Sequence, residues 1–377
     1  MLDSKKQIPL KSVLDKTSSG DIFKDMSRLS SPKLQTLLIN VFAKRVESMS
    51  PSDVLRQYKE NRFVQPSKVD QRLFNVVDTA FFKNVDESAE VIELSPVAPV
   101  GANSIFAGIH QNNVISTVRN TEVMADTVTT MALECATRRQ LGNVDPITLY
   151  TSQREIRAQK YEDDSGYLPH FQGMSVVSSY VFDGDEPSLS NALKEHLSFY
   201  LNGLKELSDK MENMHMSDIH VEISSMRLLH SLIRTLNLDL EHVKENARNE
   251  NFDVLAGIDL PKNINIGDTI DGKISREYKI TKILDYVQNI AEGATKELRE
   301  KFPHVSFSIG LDRVVGMGYY QDMSYQITAK NKQGTKFQIA SGGEVDWVKQ
   351  LTQSKKERCV AGGMGVELLL TQFLLKK

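Results

Sequence analysis

The run Arg154-Glu155-Ile156-Arg157-Ala158-Gln159, followed after an acidic, Gly-containing stretch by His170-Phe171, is the part of this chain best equipped for chemistry. An arginine leaving a strand presents a planar fork that matches a phosphate or carboxylate. Asp163 lies in the intervening stretch, so Arg157 also reads as a strand-end arginine paired at the surface with Glu155 or Asp163. Two further regions carry polar groups of interest. Arg119 and Glu122 sit close together after an apolar segment, and Tyr319-Tyr320 precede glycines 342, 343, 362, 363 and 365. Glycines let backbone approach a ligand closely, or pack strands and helices tightly. His170 could reach a phosphate or cap the returning strand, and we favour the second, because an isolated histidine is usually satisfied locally. The other seven histidines form no ligand-spaced cluster, and no metal site is readable.

Positioning these groups requires a sizeable core, and 377 residues at 40% hydrophobic content are enough for one large core or two medium ones. The formal charge of -3 excludes a bulk positive field for nucleic acid. Cys135 and Cys359 are far apart and read as small core residues of a protein from a reducing compartment. The N-terminus has no apolar leader and no stretch is long enough to span a membrane, so the expected location is cytoplasmic.

Residues 1–65 read as a helical N-terminal extension broken at Ser30-Ser31-Pro32 and Ser50-Pro51-Ser52. From Pro66, the spacing of Val69, Leu73, Val76, Val77, Ala80 and Phe81 predicts a helix, and Glu90 to Leu94 a strand stopped by Ser95-Pro96. Val114 to Val118 reads as a strand and Asp126 to Arg139 as a helix, with Arg119 and Glu122 in the turn between them. Ser188 to Leu207, a stretch from Met226 to Leu236, and Ile283 to Leu298 are further amphipathic helices. Ile219 to Ile223 and Val305 to Ile309 alternate as strands, and Asn331 to Gly334 reads as a hairpin turn. Residues 237–280, punctuated by Gly, Pro and Asn from 249 onward, are open to reading as an insertion. The pattern predicts an α+β fold, a mainly antiparallel sheet flanked by helices, with a core over 66–377.

These pieces, taken in order, resemble a class II aminoacyl-tRNA synthetase. The helix, strand and Pro96 are similar to motif 1, and Arg157 with Phe171 to motif 2. Gly316-Met317-Gly318-Tyr319-Tyr320, Gly342-Gly343-Glu344-Val345-Asp346 and Gly362-Gly363-Met364-Gly365-Val366-Glu367 follow the order seen in histidyl-tRNA synthetases. The resemblance implies that Arg157 neutralises an α-phosphate beside a carboxylate. It further implies that Arg119 and Glu122 form a substrate-pocket turn whose carboxylate accepts an α-ammonium, against an exposed ion pair if the resemblance is set aside. One tyrosine hydroxyl would close the pocket, since Tyr319 and Tyr320 would face opposite ways on a strand. Gln159 stands where motif 2 has a glutamate, and Glu367 at the acidic position of motif 3.

The departures are as informative. The phosphate-gripping arginine of motif 3 is Leu368, the arginine before the tyrosine segment is Val315, its aspartate is Gly318, and the glutamine after the motif 2 phenylalanine is Gly173. Arg154, Lys160 and Arg313 are the candidate replacement cations. The chain also stops soon after motif 3, so anticodon-dependent tRNA binding is not expected. The implied function is a synthetase paralogue that binds a small molecule, an amino acid or nucleotide, as a regulatory subunit, with a homodimer and an enzyme partner expected. The alternatives are a ligase that uses ATP with magnesium to adenylate a carboxylate for a non-tRNA acceptor, and a scaffold that dimerises through the helix from Pro66 to Phe82.

Overall fold

The computed structural model describes residues 10–15, 21–87, 89–159, 168–182, 187–247, 249 and 252–374. Lys160 and Asp163 lie outside the described residues. The extension forms α1 (Leu10–Leu14), α2 (Ile22–Arg28), α3 (Ser31–Val46) and α4 (Pro51–Glu60). The Ser-Pro breaks become helix starts, because proline costs nothing in a first turn and Ser50 with Asp53 forms a reciprocal cap. No residue of α2, α3 or α4 is buried.

The remainder runs α5 (Gln71–Phe82), β1 (Glu90–Val91), β2 (Val97–Pro99), β3 (Thr121–Val123), α6 (Thr127–Gln140), β4 (Ile147–Ile156) and β5 (His170–Val181). It continues through α7 (Pro187–Lys210), β6 (Ser217–Ser225), α8 (Met226–Thr235), α9 (Leu240–Asn246), β7 (Asn263–Asn265), α10 (Gly272–Glu277) and α11 (Thr281–Lys301). The last elements are β8 (Ser306–Gly310), β9 (Met323–Lys330), β10 (Lys336–Val345), α12 (Trp347–Thr352), β11 (Glu357–Gly365) and α13 (Val366–Phe373). Nine strands form one sheet in the order β1-β4-β5-β11-β10-β9-β6-β8-β7, and β2 pairs with β3 apart from it. Only the β1–β4 and β6–β8 pairs of this sheet are parallel. The architecture is the expected α+β one.

Because side chains alternate along a strand, the sheet has a core on each face. Tyr150 and Val176 point toward α5, α7 and α11, whereas neighbouring Leu149 and Val177 point toward α6 and α12. Both cysteines belong to the second core, where burial pushes the Cys135 thiol up to about 12. No helix among the described residues is long and apolar enough to cross a membrane.

Three regions singled out in the sequence take the following forms. The apolar face of α5, with Phe74, Val77, Ala80 and Phe81, is buried within the subunit against α7, where Gly203 leaves room for the Phe81 ring. Val114–Val118 forms no strand; a single bridge, Ser116 to Glu122, is all that pairs there, because β3 takes the position of the second strand. Residues 237–280 contribute to the core, with β7 extending the sheet edge beside β8 and Leu255, Ile264 and Ile280 in the first core.

Candidate binding site

A cavity of about 910 Å³ opens where β4, β5 and β11 end. Pairing of Ile156 with His170 closes the β4–β5 hairpin, and the Arg157 N–H donates to the Pro169 carbonyl at 2.8 Å. Arg157 therefore leaves the sheet at a fixed point and lines the cavity with Gln159 and Phe171. Its guanidinium carbon stands 5.3 Å from the Phe171 ring centroid. Gly363 and Gly365 of β11 and the turn around Tyr319 and Tyr320 form other parts of the wall.

The wall beside Arg157 is acidic and internally bonded. Arg157 Nε donates to the Ala125 carbonyl at 2.9 Å, and Nη2 lies 3.4 Å from Glu155 and 3.7 Å from Asp126. Glu155 also accepts from Thr127 Oγ1 at 2.9 Å, and Thr127 meets Ser175 at 2.6 Å. Burial pushes the Glu155 carboxyl up; Arg157 opposes this and Asp126 adds to it. Asp126 is the residue before α6, yet its side chain makes no cap bond, because it accepts instead from the Tyr319 hydroxyl at 3.1 Å. Gly173 belongs to the same arrangement: a Cβ there would stand 2.3 Å from Glu155 Oε1. Glu155 thus fills the space next to the position where the resemblance expects a glutamine.

Several expected site residues lie elsewhere. Glu122 is buried on β3 and accepts four hydrogen bonds, from Gly101 N, Asn103 N, Asn103 Nδ2 and Gln111 Nε2. Burial alone would raise its carboxyl, but these donors hold it below the ordinary value. Its oxygens anchor the loop from 100 to 113 instead of meeting an ammonium, and Arg119 is exposed outside the cavity. His170 donates from Nε2 to the Gln65 carbonyl while Nδ1 accepts from Arg154, so it ties the extension to the hairpin as a structural residue. Glu367 pairs with Arg154 at 2.9 Å and accepts from Gln172 N, which commits Arg154 away from the cavity.

Gly342 and Gly343 are packing positions: a Cβ on Gly342 would meet the Tyr325 hydroxyl at 2.4 Å, and one on Gly343 would meet Met323 O at 2.6 Å. Around Gly363 and Gly365 no such contact exists, and both line the cavity. Tyr319 and Tyr320 both line it as well, contrary to the one-tyrosine expectation. They occupy a turn in which both amides donate to Gly316 O, so strand alternation does not apply. Leu368 contributes an apolar side chain to the wall, as does Val315.

Asp126, Thr127, Ser175 and Gly173 were not readable as site residues, since each has an ordinary local role in a cap, helix or strand. Arg313 is different. It lines the cavity, is only 6% exposed, and its Nε, Nη1 and Nη2 have no hydrogen-bond partner among the described residues.

Solved structures share this fold. The chain is similar to a protein from Bacillus halodurans described as an ATP phosphoribosyltransferase regulatory subunit/histidyl-tRNA synthetase, at 14% identity and TM-score 0.57 over 83% of each chain. It is similar to histidyl-tRNA synthetase from Nostoc sp., at 14% identity and TM-score 0.57 over 82% of this chain and 74% of that one. A histidine–tRNA ligase subunit from Alicyclobacillus acidocaldarius aligns at 13% identity and TM-score 0.58 over 82% of this chain and 95% of its own. No protein-family model and no curated protein matches the sequence. The fold is the one these solved structures share, and at this identity the likeness is one of fold.

Proposed function

We propose that this protein is a cytoplasmic, histidyl-tRNA synthetase-like paralogue that binds a small molecule, an amino acid or a nucleotide, in the cavity without charging tRNA, and works as a regulatory subunit. The observation that carries this reading is Leu368. It lines the cavity at the position after Glu367, where the resemblance places a phosphate-gripping arginine. A charged hydrogen bond is worth ~1.5–3 kcal/mol, so its loss weakens hold on a triphosphate severely. Arg154 does not replace it, being held by Glu367 and His170. One structure of this fold is described as an ATP phosphoribosyltransferase regulatory subunit/histidyl-tRNA synthetase, which supports an enzyme partner here; a homodimer is part of the same proposal.

A second reading has its own support. Arg157 and Phe171 stand together at the cavity, so a carboxylate-adenylating ligase with a non-tRNA acceptor would hold ATP through Arg157 at the α-phosphate and Phe171 against the base. The described residues contain no group of three or more His, Cys, Asp or Glu side chains that could hold a metal, so magnesium would arrive with the nucleotide phosphates. The polyphosphate end fits poorly against Leu368. Calorimetry with ATP and pooled amino acids, followed by pyrophosphate exchange, separates the two. Binding without exchange is expected; exchange that Arg157→Ala abolishes would establish the ligase instead.

A further inference from the structure

We infer that Arg313 is the anion-recognition point of the cavity, receiving a carboxylate or phosphate group of the bound molecule. This rests on the proposal that the cavity holds a small molecule, and it names the chemistry of one end of that molecule. A guanidinium removed from water without a partner is costly, and buried charges in folded proteins are as a rule paired or liganded. Here five N–H donors on three buried nitrogens stay unmatched on a residue that forms part of the cavity wall.

The surroundings explain why no protein group serves it. Glu222 is the carboxylate whose field reaches Arg313, but it forms no ion pair with it; Glu222 accepts from Gln326 Nε2 at 2.8 Å and from Ser224 Oγ at 3.4 Å. The Tyr320 ring, also part of the cavity wall, lies against the guanidinium with its centroid 5.9 Å from the guanidinium carbon. Tyr320 itself is bonded to Ser341. A ligand anion reaches Arg313 when that ring moves aside, exchanging a cation–π contact for a charge-assisted, two-pronged hydrogen bond, which is the stronger interaction.

Another part of the wall carries carboxylates. Asp126 and Glu155 cluster there around Arg157, and Tyr319 links them to Tyr320, whose ring centroid is 5.0 Å from its own. The cavity wall thus offers the idle donors of Arg313 and, in another part, carboxylates already engaged with Arg157.

The test is thermal unfolding of the full chain in sodium phosphate and, separately, sodium acetate, each against sodium chloride of equal ionic strength. Anion binding to the folded state alone should raise the midpoint of the native chain by about 2 °C or more as concentration increases. Arg313→Met should show no anion-dependent rise, and Arg313→Lys should keep most of it. A larger response to one salt identifies phosphate or carboxylate as the preferred group. Absence of any rise in the native chain, or an equal rise in Arg313→Met, overturns the inference. So does a lower midpoint for Arg313→Met in chloride alone, because that would make Arg313 a structural cation served by Glu222. Pyrophosphate exchange is scored separately, so loss of the regulatory reading and loss of this one remain distinguishable.

Discussion

The two arginines of the cavity stand in opposite situations. Arg157 is shared among a carbonyl and two carboxylates at the acidic wall, while Arg313, more deeply buried, has no hydrogen-bond partner among the described residues. A residue whose donors are already used holds structure, and one whose donors are idle in a low-dielectric wall raises the energy of the empty protein. The difference teaches that the residue most like a catalytic arginine in sequence is partly occupied, whereas a residue without any motif is the one left waiting.

The largest expected effect tests the occupied end. Glu155→Ala removes the partner of Arg157 and of Thr127 and leaves a cavity next to Gly173, so it should cost about 3 kcal/mol. Urea unfolding measures this, and a cost near zero would mean that the wall is not a unit. Arg313→Met goes the other way. Replacing an unpaired buried cation by an apolar side chain of similar length should stabilise the empty protein by about 2 kcal/mol. A loss in the same urea experiment would erase the contrast. Tyr319→Phe is smaller: it deletes the hydrogen bond to Asp126 and should cost about 1.5 kcal/mol, with no effect on the anion response assigned to Arg313.

How far the sequence revealed these ends differs for physical reasons. The β4–β5 hairpin and Arg157 were legible because strand alternation, a polar turn and an aromatic return are local signals. The long helices α7 and α11 were legible from their periodic apolar faces. Glu122 was read as a pocket carboxylate because its four donors, from Gly101, Asn103 and Gln111, lie in a preceding loop that no local pattern ties to it. Tyr319 and Tyr320 were misread because Gly316, at φ 93°, bends the chain into a turn where period-two reasoning fails. Arg313 was noted only as a replacement cation two positions from Val315. That it is buried without a partner depends on Glu222 turning toward Gln326, a fact of tertiary packing.

The pH dependence of stability supplies the finest test of the acidic wall. Burial outweighs the opposing pull of Arg157 and leaves the Glu155 carboxyl with a folded-state value above its unfolded value of about 4.3. Between those two values the folded protein binds more protons than the unfolded chain, so this group makes stability fall as pH rises through the window. Glu122 has the reverse sign: its folded value is depressed, so its contribution is present above the unfolded value and is lost as pH falls through the folded one. Glu155→Gln should therefore flatten the decline on the neutral side, by less than ~1.4 kcal/mol per pH unit, the limit for one proton. The same substitution should leave the loss at acid pH unchanged, because that loss belongs to Glu122 and other depressed carboxylates. If the neutral-side slope survives Glu155→Gln, the buried carboxylate is held ionised by Arg157, and the occupied end is a closed ion pair that releases no proton when a ligand binds.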